Sequence, residues 1–254
     1  MMNLGRLCPG PAASAPCGAA QGGAGDFDVF VDPADGAAYV VYGANFYLGV
    51  ERLTPDMLNS TGVNATWAAG PFDGSVSPDY FVEAPAMFVR HGIYYLLYGH
   101  CCCFCYQGSG IIVATASHPM GPWKVWPGDL ACVANGTSAG ASVDDLEGVP
   151  TPGQGCLYGG SRAVSATRAQ QNFVIAVPSG DGESTFVWTG DRWQQSPDGL
   201  KGHEGQFWAP LHFDDAEEGR IQKVRWLDEF ELRVPTQHTE TTMKPPHVRW
   251  FSFW

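Results

Sequence analysis

Two stretches decide the reading of this chain: VFVDPADGAAYVVYG at residues 29–43 and MFVRHGIYYLLYG at residues 87–99. Gly36, Tyr39, Tyr42 and Gly43 of the first recur 56 residues later as Gly92, Tyr95, Tyr98 and Gly99. Each stretch is a short apolar run, a glycine-bearing tight turn, and a second apolar run that stops at glycine. Turn chemistry and the β-branched and aromatic content predict a β-hairpin in both. Strand-like segments follow each hairpin, FYLGVERL at 46–53 and GIIVATAS at 110–117. Four strands in a unit of roughly 50 residues is the pattern of a propeller blade. A β-sandwich would need the four matches at one offset to be coincidence, so the propeller is preferred.

Two weaker copies extend the pattern. NFVIAVPSGDGESTFVWTG (172–190) has its turn at Gly182 and its end at Gly190, and WAPLHFDDAEEGRIQKVRW (208–226) has its turn at Gly219 and Trp226 in the final position. The first strand of each unit is apolar at successive positions, as expected where both faces are covered. Helical periodicity is nearly absent; only LTPDMLNS (53–60) could form a turn or two. The expectation is therefore an all-β chain of the five-bladed β-propeller type, incomplete, with three to four blades. Residues 1–24 read as an irregular N-terminal segment and 25–254 as the propeller. Residues 126–168, rich in Gly, Ser and Pro, read as a long surface insertion, and the tail from Val234 as an extended closing segment.

Composition limits what such a chain can bind. Its 254 residues are 44% hydrophobic and 13% aromatic, with nine Trp and nine Tyr. Glycine and proline together make about a fifth of the chain, a level of punctuation that suits short strands rather than long helices. Surplus aromatics fit a strand-rich core or a surface that stacks on sugar rings. The formal charge of −12 argues against nucleic acid, whose phosphates require Lys and Arg. A neutral oligo- or polysaccharide tolerates it. No run approaches the ~20 apolar residues of a membrane-spanning helix.

The eight cysteines, at 8, 17, 101, 102, 103, 105, 132 and 156, form an even set suited to disulfides in an oxidising compartment. At least two of the four in the 101–105 run are expected to be bridged. A metal cluster is the weaker reading, because no second His or Cys pair stands at zinc-like spacing. Sequons at Asn59, Asn64 and Asn135 also point to secretion. The N-terminal 25 residues lack the continuous apolar stretch of a signal peptide, so sequence is expected to be missing upstream of an extracellular protein.

In a propeller the innermost strands begin near the axis, so polar residues there converge. Asp26 lies four residues before Phe30, and Glu83 five before the matching Phe88. Glu83 interrupts an otherwise apolar run, YFVEAPAMF (80–88). Partial desolvation there should raise its pKa and suit it to donate a proton near neutrality; a capping or loop carboxylate is the plainer alternative. Asp28 is expected to be structural.

These motifs, in their order, resemble glycoside hydrolase family 43, and within it the exo-β-1,3-galactanase-like branch. The resemblance runs from residue 25 to about 232. It rests on GDFDVFVDPADGAAYVVYG, VEAPAMFVRHGIYYLLYG, Gly121-Pro122-Trp123, AQQNFV, GDRW and QFWAPLHF. It implies a five-bladed propeller and an inverting mechanism. It also implies that Glu83 of the Glu-Ala-Pro motif is the general acid and that Asp26 orients that acid. Gln170, more than Gln171, would stand where other glycosidases carry a carboxylate base. Asp26, Glu83 and Gln170 should then line one pocket. A core or capping role for the Gln remains open, since amides readily satisfy backbone groups.

Other candidates carry two readings each. Gln171, Tyr80 and Trp208 are candidate substrate contacts; both aromatics would equally suit a core. Trp193 of GDRW is expected in the core. His203 is expected on the surface, with an axial structural calcium ion the alternative, and no catalytic metal or cofactor is expected. Two blades that the resemblance would place before the Asp26 hairpin, with an Arg-Pro-Lys motif, have no counterpart here. The isolated chain is therefore expected to be weakly active or inactive. Three functions stay open: inverting hydrolysis of β-1,3-galactan-type side chains, β-xylosidase or α-L-arabinofuranosidase activity on the same fold, and glycan binding without catalysis. The oligomeric state is left open.

Overall fold

The structure, a computed structural model, describes residues 25–44, 47–68, 82–100, 108–126, 130–131, 167–179, 182–234 and 247–251. All eight cysteines, Tyr80, Asn135, residues 1–24 and nearly all of the expected 126–168 insertion lie outside them. No described helix is long and apolar enough to cross a membrane.

The described residues are almost wholly β. The first sheet is a four-stranded antiparallel meander of β1 (Phe27–Val31), β2 (Ala38–Ala44), β3 (Tyr47–Leu53) and β4 (Ser60–Ala68). The second repeats it with β5 (Val82–Arg90), β6 (Ile93–His100), β7 (Ile112–Ala116) and β8 (Lys124–Val125). The third holds β9 (Gln170–Pro178), β10 (Ser184–Asp191) and β11 (Gln206–Pro210) in order β11-β10-β9. Two hairpin-like pairs follow: β12 (Phe213–Asp214) with β13 (Arg220–Ile221), and β14 (Glu229–Arg233) with β15 (His247–Phe251). The two repeat turns use Gly36 and Gly92 at φ of +73° and +76°, a conformation that costs glycine nothing.

Three blades therefore stand side by side, with β1, β5 and β9 as their inner strands and two smaller pairs beyond them. The fourth repeat is cut differently from the sequence expectation. Trp208-Ala209-Pro210 does not open a new hairpin; it is the third strand of the third blade, with Trp208 opposite Thr189. The Gly219 turn instead joins the two-residue strands β12 and β13. LTPDMLNS forms turns between β3 and β4, not helix, because the two strands leave it only a short connection.

The continuous apolar runs follow from burial of the second blade on both faces. Along β6 successive side chains alternate. Tyr94, Leu96 and Tyr98 pack against Phe30, Tyr39, Val41, Leu48 and Val50 of the first blade. Tyr95 and Leu97 pack on the other side against Val174, Phe186, Trp188 and Phe207 of the third. Phe88 stacks on Tyr95 at 5.0 Å between ring centres and meets Phe186 at 4.8 Å. Such pairs contribute about 0.5–1.5 kcal/mol each beyond the area they bury.

Polar bonds also cross between blades. Oδ2 of Asp28 accepts the backbone N–H of Met87 at 3.0 Å, joining β1 to β5. The Tyr95 hydroxyl donates to the carbonyl of Gly219 at 2.8 Å, reaching the β12–β13 turn. Arg90 forms a two-pronged ion pair with Asp215, at 2.5 and 3.0 Å. Of these, the Asp28 bond joins two inner strands directly.

Candidate active site

Glu83 is the second residue of β5, and Gln170 is the first of β9. Asp26 immediately precedes β1. The packing of the blades sets these three starts around one open pocket of about 440 Å³, lined by Asp26, Glu83, Gln170, Trp193, Gln194, Lys201 and Glu204. Asp26 is exposed, Glu83 half-buried and Gln170 6% exposed.

Local backbone irregularity aims these groups. The β5–β6 register shifts between Glu83 and Ala86, with Ala84 in the left-handed region at φ +49°. The β9–β10 register shifts as well, so that Gln171 faces Gly190 while Phe173 faces Thr189. An extra residue in a strand re-aims its neighbours, and a non-glycine residue at positive φ is held only by its surroundings. Glycine lets the frame close on the pocket. A Cβ at Gly43 would stand 2.5 Å from the carbonyl oxygen of Val82, and one at Gly190 would stand 2.7 Å from that of Gln170. Gly43 and Gly190 are thus points where a second strand crowds the start of an inner strand.

Glu83 and Trp193 are connected through the Gln170 amide. Nε2 of Gln170 donates to Oε2 of Glu83 at 3.2 Å, and Nε1 of Trp193 donates to Oε1 of Gln170 at 2.6 Å. Lys201 lies over the Trp193 ring, its Nζ 4.3 Å from the ring centre. Glu204 accepts the backbone N–H of Gln194 at 2.6 Å, fixing a residue whose φ is +58°.

Several expectations are corrected by this geometry. Trp193 is on the pocket wall, not in the core, because Asp191 pairs with Gln170 and the chain leaving β10 must pass that strand start. Gln171 is 1% exposed and turns away from the pocket. Its Oε1 accepts the indole N–H of Trp188, and its backbone N–H donates to Ser109 Oγ at 3.1 Å. Adjacent residues on a strand face opposite sides. Trp208, on the outer strand of its blade, does not line the pocket; its indole N–H donates to Gln206 at 3.1 Å. His203, by contrast, is exposed as expected, with Nδ1 2.6 Å from Asp198. That partner holds the Asp198 carboxyl below its usual range. Gln194, Lys201 and Glu204 are pocket residues that sequence reasoning does not single out. The signal for them is positional: they follow the repeat's terminal glycine, Gly190.

No family model and no curated protein matches the sequence. Solved structures do. A family 43 β-1,3-galactosidase solved with galactodeoxynojirimycin superposes with a TM-score of 0.55 at 24% identity, over 81% of this chain and 46% of its own. An exo-β-1,3-galactanase from Clostridium thermocellum gives 0.52 at 22% identity, over 78% of this chain and 33% of its own. One from Phanerochaete chrysosporium, solved with galactose, gives 0.50 at 22%, over 80% and 36%. The chain has the fold of the family 43 enzymes. Its blades are propeller blades, and the chain spans less than half the length of these structures.

Proposed function

We propose that this chain is a glycoside hydrolase acting on β-1,3-linked galactan side chains with inversion. The observation that carries the reading is the meeting of Asp26, Glu83 and Gln170 in one open pocket. A pocket of about 440 Å³ lies in the range that holds small ligands. The substrate class is supported by the similar solved structures, of which two are named as β-1,3-galactanases and one was solved with galactose.

In this reading protonated Glu83 gives its proton to the glycosidic oxygen as the bond to the anomeric carbon breaks and the electron pair leaves with that oxygen. Water attacks the opposite face of the sugar. Inverting enzymes keep about 6.5–9.5 Å between the acid and the group that holds the water, so the entering sugar must part the 3.2 Å contact between Gln170 and Glu83. Oε1 of Gln170, with a second lone pair beyond the one that Trp193 uses, then accepts a hydrogen bond from that water. An amide is a far weaker base than a carboxylate, so Gln170 orients the water, and the released proton leaves through the open mouth of the pocket. Asp26, which lines the same pocket, is assigned the role of orienting the acid. Secretion and an oxidised cysteine framework belong to the same proposal, supported by the sequons and the cysteine count.

The test is release of galactose from β-1,3-galactan by stoichiometric enzyme, compared with β-1,4-xylan and arabinan. Selective release of galactose supports the reading. Tight binding of galactan oligosaccharides without release at any incubation time would replace it with a glycan-binding role.

A further inference from the structure

The Gln170 amide lies between two groups of fixed character. An indole nitrogen only donates, so the end of the amide facing Trp193 is the oxygen, and the NH₂ is left to face Glu83. Reversing the amide would set N–H against N–H at Trp193 and oxygen against oxygen at Glu83. The indole N–H, 2.6 Å from Oε1, therefore determines that Glu83 receives a donor.

Trp193 is itself held. Arg192, next to it, is buried and donates through Nε and Nη2 to Oε1 of Gln195, at 3.1 and 2.6 Å. Gln195 donates in turn to the carbonyl of Arg168 at 2.6 Å, two residues before Gln170. The backbone N–H of Arg192 donates to the carbonyl of Gly205 at 3.0 Å, and Lys201 covers the indole ring. The segment 192–205 is thus tied to the start of β9 on the side where its tryptophan meets the glutamine.

We propose that Trp193 is a positioning residue: by orienting the Gln170 amide it sets the aim and the protonation equilibrium of Glu83. The inference rests on the reading of Glu83 as the acid. Among the described residues the other charged groups on the pocket are Asp26, from before β1, and Lys201 and Glu204, from the 192–205 segment. The two carboxylates oppose ionisation of Glu83; Lys201 and the amide N–H favour it. Removing the indole N–H frees the amide to turn and withdraws only the last of these.

The experiment is a pH titration of the Glu83 carboxyl carbon by NMR in the full chain, for the parent protein, Trp193→Phe, Gln170→Met and the double variant. Phenylalanine keeps a ring beneath Lys201 but has no donor. The expected result is a rise of about one pH unit in Trp193→Phe, tenfold in the ionisation equilibrium. A similar rise is expected in Gln170→Met, with no further change on combining the two. Turnover gives a second readout: the alkaline limb of kcat/KM, which reports the free enzyme, moves upward by the same amount. An unaltered Glu83 titration in a folded Trp193→Phe protein would overturn the proposal. So would a Trp193→Phe effect that persists undiminished in the Gln170→Met background. The titration needs no catalysis, so a chain without turnover defeats the glycosidase reading and still decides the role of Trp193.

Discussion

The hydroxyl of Tyr94 donates to Oδ2 of Asp32 across 2.7 Å, from the second blade into the turn of the first. Asp32 is 4% exposed and also accepts the backbone N–H of Ala34 through Oδ1 at 2.9 Å. One carboxylate therefore closes its own hairpin turn and joins the neighbouring blade. Burial, and then the bond to Asp32, push the Tyr94 hydroxyl up to about 12.

Tyr94→Phe removes the donor and leaves a buried carboxylate oxygen short of a partner. A loss of about 1–3 kcal/mol is expected, the usual cost of an unmatched buried polar group. Urea unfolding measures it. A variant as stable as the parent would mean that Asp32 draws nothing from the second blade.

Asp28 gives a pH-dependent prediction. Burial raises its pKa above 3.8, against the lowering effect of the Met87 and Val29 backbone N–H groups. The folded state then holds a proton more tightly than the unfolded state, so stability falls as pH rises from 3.8 through the folded pKa. Asp28→Asn keeps an acceptor for Met87 and removes the charge. It should be more stable than the parent at neutral pH, with the gain vanishing on acidification below 3.8, the ordinary value of an Asp carboxyl. Melting curves at the two pH values decide it; a gain that grows with acid would reverse the assignment.

Gly43→Ala links the frame to the pocket. Its methyl group would stand 2.5 Å from the Val82 carbonyl oxygen, next to Glu83. Overpacking of this kind costs about 1–3 kcal/mol, and displacing a catalytic group by about 1 Å can cost ~10²-fold in rate. Both losses are expected together, read by unfolding and by galactose release. Full activity in a destabilised protein would separate the frame from the site.

Glu83→Gln should lower turnover on galactosides with poor leaving groups by ~10²–10⁴-fold, the usual contribution of a general acid. Aryl galactosides with good leaving groups should lose much less, because their departure scarcely needs a proton. Equal losses on both substrates would remove Glu83 as the acid.

The first two blades are legible in the sequence because each has the same turn glycine, paired tyrosines and closing glycine. The fourth repeat is not, because WAPL has the apolar character of an opening strand while its backbone pairs back onto β10, a choice made by tertiary packing. In the pocket, Asp26 and Glu83 are found from one rule, that inner strands begin near the axis, whereas Gln170 is implied only by the family resemblance. Gln171 reads as their neighbour, yet strand alternation sends it to the opposite face. Trp193, Lys201 and Glu204 sit in a polar, irregular segment with no periodicity. The register of Asp191 against Gln170 brings their segment to the pocket. Register is a property of the paired strands, not of either segment alone.

The central claim is that this pocket hydrolyses a β-1,3-galactosidic bond with inversion. Proton NMR of β-1,3-galactotriose incubated with stoichiometric enzyme tests it most directly, by showing which anomer of galactose appears first. The α-anomer should appear before mutarotation equilibrates it, and Glu83→Gln should suppress its release. Initial β-galactose, or galactose release no greater than that of Glu83→Gln, would contradict the account.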